Sequence, residues 1–167
     1  MIAFEPLRHE HLPLLRVWLD REHVRRWWRD ASDSLHEYAE AIEGRDPSEH
    51  YLIVVDGRRV GMIETYLVSD FPEWEAVVEV GAGVAGVDLL IGEDELTGQG
   101  LGPRALEQFA REVVFERAGT HAVVAAVPEE NRRSWRAFEK AGFRYVRDVE
   151  EDGLPHRLMR LDRRYAQ

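Results

Sequence analysis

The 167-residue chain predicts a mixed α/β (α+β) domain, and three observations carry that expectation. Runs of β-branched and aromatic residues alternate with runs whose apolar residues recur at helical spacing. Two tight-turn dipeptides, Asp56-Gly57 and Asp152-Gly153, join strand-like runs into hairpins. No repeat, linker or low-complexity tract breaks the order, so a single domain over residues 1–167 is expected.

Taken in order, Ile2 to Phe4 is a short strand ended by Pro6. HEHLPLLRVWLD follows as a helix, with Leu12, Leu15 and Leu19 at helical spacing. REHVRRWW continues as a second helix or turn and carries Trp27 and Trp28. DSLHEYAEAIEG is a third helical segment: Asp33 or Ser34 caps it, Leu35, Tyr38 and Ile42 line one face, and Gly44 stops it. HYLIVVDGRRVGMIETYLV is a hairpin. A loop from Ser69 to Trp74 leads through EAVVEV to VAGVDLLIG, an apolar run that reads as a buried strand. Leu101 to Arg117 is an amphipathic helix with Leu106, Phe109, Val113 and Val114 inward, and Pro103 is tolerated in its first turn. AVVAAV is a buried strand. Asn131 to Ala141 is a second amphipathic helix with Trp135 and Phe138 inward, stopped by Gly142. FRYVRDVEEDGLPHRLMRL is a final hairpin. The string is β-α-α-ββ-β-α-β-α-ββ.

Composition narrows the function. There is no cysteine, which excludes disulfides, cysteine nucleophiles and cysteine zinc sites. The seven histidines show no metal spacing, so no metal is expected. The opening MIAFEPLRHEH lacks the basic and apolar regions of a signal peptide, and no apolar run approaches the roughly 18 residues of a membrane span. A cytoplasmic protein without a membrane partner is expected, as monomer or homodimer. The net charge of −10 argues against nucleic acid. Between Arg59 and Arg104 there is no Lys or Arg, while Glu64, Asp70, Glu73, Glu75, Glu79, Asp88, Glu93, Asp94 and Glu95 fall there. Such an interval is a solvated acidic face or a cleft that attracts a polycation.

The stretch Gly98-Gln99-Gly100-Leu101-Gly102 ends in a helix start. Glycines let backbone N–H groups approach an anion, and the helix N-terminus leaves its first N–H groups unbonded. Gly100-x-Gly102-x-x-Ala105 also fits the dinucleotide fingerprint, but six residues separate the strand's last apolar side chain, Ile91, from Gly98, and AVVAAV carries no acid for a ribose. No Gly-Lys-Ser/Thr follows, which excludes a P-loop. Asp88 interrupts a run of Val, Leu and Ile, where a carboxylate is costly unless paired or used.

TGQGLGPRALEQFAREV, followed about thirty residues on by NRRSWRAFEKAGFRYV, resembles the GCN5-related N-acetyltransferases. The family's Arg/Gln-x-x-Gly-x-Gly/Ala signature falls on Thr97 to Gly102, with Thr97 departing at its first position. The later signature, Asn-x-x-Ala/Ser with a downstream Gly-Phe, falls on Asn131, Ser134 and Gly142-Phe143. His23-Val24 leading to Trp27-Trp28, Gly61 with Tyr66, and Gly-Val-Asp-x-Leu-Ile at 86–91 are most similar to the aminoglycoside 6'-N-acetyltransferases, whose shape is shared by acyltransferases of siderophore biosynthesis.

The resemblance implies a mixed, mostly antiparallel sheet flanked by helices, and acetyl-coenzyme A as co-substrate. Its pyrophosphate would lie on Gly98, Gln99, Gly100, Leu101 and Gly102, and its pantetheine along the strand end at Leu90 and Ile91. Asn131 would contact it from the later helix, and Arg132, Arg133 or Arg136 would meet the adenosine phosphate, with Arg133 chosen. Asp88 would orient the amine or accept its proton. Trp27, Trp28 and Tyr66 would wall the acceptor, with Glu64 and Glu79 on neighbouring strands as secondary carboxylates, each read by itself as exposed. Three positions depart from relatives: Phe138 replaces a tyrosine acid, and Ala126 and Gly81 replace acidic residues. The implied activity is N-acetylation of a small polycationic amine, with an aminoglycoside first. The alternatives are a siderophore-type hydroxylamine or lysine-like amine as acceptor, and a non-catalytic acetyl-coenzyme A or ligand-binding module.

Overall fold

The computed structural model describes residues 1–166. Strands β1 (Ile2–Pro6), β2 (Glu49–Val55), β3 (Arg58–Leu67), β4 (Val84–Ile91), β5 (Ala122–Pro128), β6 (Arg144–Glu151) and β7 (Leu154–Asp162) pair in the order β1-β2-β3-β4-β5-β7-β6. β1 with β2, β5 with β7 and β6 with β7 are antiparallel; β4 with β5 is parallel. A parallel pair needs a crossover, and helix α5 (Leu101–Phe109) supplies it. The mixed, mostly antiparallel sheet is therefore as expected.

Two compact units divide the chain. The first holds Met1–Glu64 and Asp88–Thr97. Its helices are α1 (Leu12–Asp20), α2 (Glu22–Arg25) and α3 (Ala31–Ile42). Leu15, Trp18 and Leu19 of α1 meet Tyr38 of α3, Leu52, Met62 and Leu90 in one core. Gly92 makes that core possible: a Cβ there would stand 2.2 Å from the Trp18 ring, which is fully buried. Asp30 caps α3, its carboxylate accepting from the Ser32 and Asp33 amides at 2.9 and 3.3 Å. The cap thus lies upstream of Asp33 and Ser34, because extended Asp30 reaches the first free N–H groups while Ser34 is buried in the helix.

The second unit holds Thr65–Val87 and the chain from Gly98 on. Val68, Val78, Val84, Ala122, Val124, Val149 and Leu158 form a core cluster. The segment expected as a loop before EAVVEV is partly helical: α4 runs Pro72–Val78. Pro72 sits at a helix start, and Glu73 and Glu75 complement the N-terminal dipole. The helix from Leu101 keeps its apolar stripe but widens to a π-helical turn at Ala110–Val114. Helix α6 spans Arg132–Lys140 and buries Phe138 edge-on against Phe143, with ring centroids 5.0 Å apart. Positive φ at Asp152 and Gly153 closes the last hairpin.

Candidate active site

The glycine loop supplies the first half of the site. Gly98 and Gly100 have φ of +75° and +80°, a conformation that side chains rarely adopt, and a Cβ at either would meet open space. Gly100 is the left-handed N-cap of the nine-residue α5, and no side chain caps that end. The first turn carries no acidic residue. A left-handed glycine N-cap with no capping side chain, at a positive dipole end, fits a pyrophosphate. At Gly102 a Cβ would lie 3.8 Å from the Ala137 Cβ, an ordinary contact distance between α5 and α6. Thr97 turns its hydroxyl to the Asp94 carbonyl at 2.7 Å.

Helix α6 places the later signature in the same unit. Asn131 is its N-cap, and its side-chain oxygen accepts from the Ser134 amide at 3.3 Å. Its side-chain oxygen is thus used within the fold. Arg133 is exposed at the helix start. Phe138 lies in the core, where its ring cannot serve as an acid. Tyr145 donates to Asp148 at 3.0 Å, and the Arg157 guanidinium stacks 4.2 Å from its ring centroid. That hydrogen bond raises the Tyr145 pKa.

The carboxylates stand in the first unit. Asp88 is half-buried in β4. Glu64 in β3 is buried, contrary to the expectation of exposure, and its Oε2 lies 2.6 Å from His50 Nε2. The histidine neutralises the cost that would otherwise keep a carboxylate out of a strand buried along most of its length. Tyr38 packs its ring 4.8 Å from His50 and accepts a hydrogen bond from the Trp28 indole at 2.9 Å. Burial, then the Glu64 carboxylate, push the Tyr38 hydroxyl far above the usual tyrosine range, so it stays a neutral phenol. Arg29 holds Glu37 through two bonds of 2.8 and 2.7 Å. Partial burial opposes its charge, but Glu37, Glu64 and Asp88 outweigh that and raise its pKa. Trp27 is half-buried with Arg26 stacked 5.0 Å from its ring centroid. Leu90 belongs to the core, and the Ile91 carbonyl accepts from His23 Nε2 at 2.8 Å.

Tyr66 lies across β4 at Gly86 in the second unit. A Cβ on Gly86 would stand 2.3 Å from the Tyr66 ring, so the glycine exists to admit the tyrosine. Glu79 corrects the sequence reading. It is not on a strand: it ends α4 at φ +50° and is exposed, because PEWEAVV forms a helix rather than a strand. By sequence, neither His50 nor Arg29 stands out, and Tyr38 does so only as lining one face of the third helical segment. A lone histidine, arginine or tyrosine carries no local signal, and their roles come from β2, α3 and the turn after α2 meeting at Glu64. Among the described residues no group of His, Cys, Asp or Glu could hold a metal ion, and no helix is long and apolar enough to cross a membrane.

A mixed, mostly antiparallel sheet with a glycine entry to an uncapped helix is the architecture of an acetyltransferase. The sequence profile of the GNAT acetyltransferase domain matches residues 8–151. This chain belongs to the GNAT acetyltransferase family. Aminoglycoside N(6')-acetyltransferase type 1 of Klebsiella pneumoniae is 27% identical over 146 residues, covering 82% of this chain and 71% of that protein. The fold is that of aminoglycoside acetyltransferase AAC(6')-Ib bound to coenzyme A, with a TM-score of 0.88 at 24% identity over 99% of this chain and 96% of that one. The same enzyme bound to coenzyme A and kanamycin gives the same values.

Proposed function

We propose that this chain moves an acetyl group from acetyl-coenzyme A to an amine of a small polycationic molecule, with the 6'-amino group of an aminoglycoside as leading acceptor. Residues 1–167 act as one domain in this reading. The carrying observation is Glu64: a carboxylate buried in β3, its Oε2 2.6 Å from His50 Nε2, in the same unit as the half-buried Asp88 carboxylate of β4. This place in the fold stabilises a cation, as an ammonium acceptor requires. The Klebsiella relative's name and the neighbours' coenzyme A and kanamycin support the same reading.

The residues divide by task. Gly98 to Gly102 and the α5 N-terminus hold the pyrophosphate. Asn131 and Arg133 serve the cofactor from α6, and the backbone at Leu90 and Ile91 serves its pantetheine arm. When bound, acetyl-coenzyme A supplies an activated acetyl thioester. Asp88 orients the ammonium and takes its proton, leaving a lone pair on nitrogen for attack. Trp27, Trp28 and Tyr66 contact the acceptor's rings, and Glu64 adds charge. Glu79 remains only a peripheral attraction, since it is exposed at a helix end. Phe138 has no proton to give, so solvent protonates the departing thiolate.

A thiol-release assay with acetyl-coenzyme A and a panel of amines tests the reading. Turnover with kanamycin-class compounds is expected. Turnover confined to hydroxylamines or lysine-like amines would move the acceptor class. Cofactor binding without turnover on any amine would refute catalysis.

A further inference from the structure

His50 of β2 and Glu64 of β3 form a buried pair whose partners the sequence does not connect. Their side chains keep only 4% and 12% of their surfaces exposed. The other imidazole nitrogen, Nδ1, is buried with no hydrogen-bond partner among the described residues. An orphaned buried N–H is rarer than an under-satisfied acceptor, so the proton belongs on Nε2, donated to Glu64. The pair then carries one negative charge, on the glutamate, with its Oε2 fixed in direction.

That carboxylate faces Asp88. The Gly92 amide donates to the Val60 carbonyl at 2.8 Å. A Cβ on Gly61 would stand 2.3 Å from the Leu90 oxygen and 3.3 Å from the Ile91 Cα. These contacts set the register of two antiparallel strands. Val60 lies opposite Gly92, and Met62 opposite Leu90, both in the same core. Two residues further on, Glu64 lies opposite Asp88. Facing side chains on neighbouring strands share a face, with Cβ atoms roughly 4.5–5.5 Å apart, and like charges so placed repel. Arg29's charge is favoured by both carboxylates, and an ammonium received between the two strands would be favoured in the same way.

We infer that His50 is a positioning residue that aims Glu64 so that Glu64 and Asp88 grip the acceptor's ammonium from two strands. A primary ammonium has three N–H donors: one bonds Glu64, one bonds Asp88, and the proton lost before attack goes to Asp88. Glu64 therefore governs binding and Asp88 governs the chemical step. This rests on the amine-acetylation reading above.

The test compares Glu64→Gln, His50→Leu and His50→Gln in steady-state acetylation of kanamycin, with a thermal melt of each. Glu64→Gln and His50→Leu are expected to raise the acceptor KM about 10- to 100-fold, the scale of a hydrogen bond to a charged group. The acetyl-coenzyme A KM stays put, and kcat falls much less than KM rises. His50→Gln, whose amide nitrogen can stand near the imidazole Nε2 and donate, recovers most of the loss. The Glu64→Gln/His50→Leu double variant is no worse than either single, because both delete one contact. A purely structural His50 would lower the Tm in both histidine variants without separating the two KM values. If His50→Leu does not fold, Glu64→Gln and His50→Gln decide alone. An unchanged acceptor KM in Glu64→Gln, with active wild type, overturns the inference and leaves the acetylation reading standing. If the wild type acetylates no amine, that reading fails, and calorimetric titration of kanamycin decides: weaker binding to Glu64→Gln supports the carboxylate grip, while equal or absent binding overturns it.

Discussion

Replacing Asp88 by asparagine removes one charge and one proton acceptor while keeping the side-chain volume. Two effects with different readouts follow. On the chemical step, loss of a positioned general base lowers turnover about 10²- to 10⁴-fold; the lower figure corresponds to about 2.7 kcal/mol of barrier. On stability the terms oppose each other. Glu64 lies opposite in the register, so relief of repulsion stabilises by about 0.2–1 kcal/mol. Arg29 loses one attraction, but it keeps Glu37 through its two short bonds, and its side chain is 63% exposed. Solvent screening leaves the lost attraction worth about 0–1 kcal/mol. These two terms together should shift the folded state by less than about 1 kcal/mol either way. Thiol release and a thermal melt on the same preparation separate the two effects. The expected result is turnover down at least about 100-fold, with Tm and the acetyl-coenzyme A KM nearly unchanged. Full turnover in Asp88→Asn would refute the base assignment. So would a loss of turnover matched by a loss of folded protein, which would make Asp88 a structural carboxylate.

Other perturbations test single features. Gly86→Ala drives a methyl into the Tyr66 ring, 2.3 Å from its Cζ and 2.6 Å from its hydroxyl oxygen; a melt should show about 1–3 kcal/mol of destabilisation. Gly100→Ala meets no neighbour but must hold φ at +80°, which costs about 1–2 kcal/mol; titration should show the acetyl-coenzyme A KM rising while the acceptor KM holds. Glu93 has its pKa lowered, first by the hydrogen bond from Arg21. A lowered folded value means the unfolded chain binds more protons in acid, so this carboxylate stabilises above its ordinary range and loses that contribution as pH falls through the folded value. Glu93→Gln should cost about 1 kcal/mol at neutral pH and nothing in strong acid, and melts across that range would contradict this if the difference did not shrink.

The strands were legible because their signals are local. All seven lie where β-branched runs and the two Asp-Gly turns put them, and the glycine loop meets the helix where expected. Helix α4 is hidden in the sequence because its valines favour a strand and its start signal, Pro72 followed by acids, is equally the chemistry of a loop. The α3 cap was misplaced by the same limit: Asp30, Asp33 and Ser34 are equally good caps by type, and only the extended backbone at Asp30 selects among them. Glu64 was misread for a deeper reason. Exposure is inferred from alternation, yet β3 is buried on consecutive residues from Val60 to Thr65. Its partner His50 arrives from another strand, fourteen positions earlier, and no spacing rule links them.

The acidic interval between Arg59 and Arg104 shows what such a charge run is made of. Glu93 and Glu95 meet Arg21 and Arg58, and Asp94 lies 3.7 Å from His23. Glu73 and Glu75 occupy the first turn of α4, where the helix dipole favours them, and Glu75 also accepts from the Gly81 amide. Glu79 ends that helix, and Asp70 lies in a 3-10 turn. Seven of the nine acids thus have local structural reasons that any solvated face would share. Glu64 and Asp88 differ in place: they lie in strands, where a carboxylate gains nothing from a helix dipole, Glu64 is held by His50, and the register sets Asp88 opposite it. Net charge alone favours any polycation at long range. Two carboxylates set face to face on neighbouring strands favour one ammonium at one place, and that is the part of the charge the proposed chemistry uses.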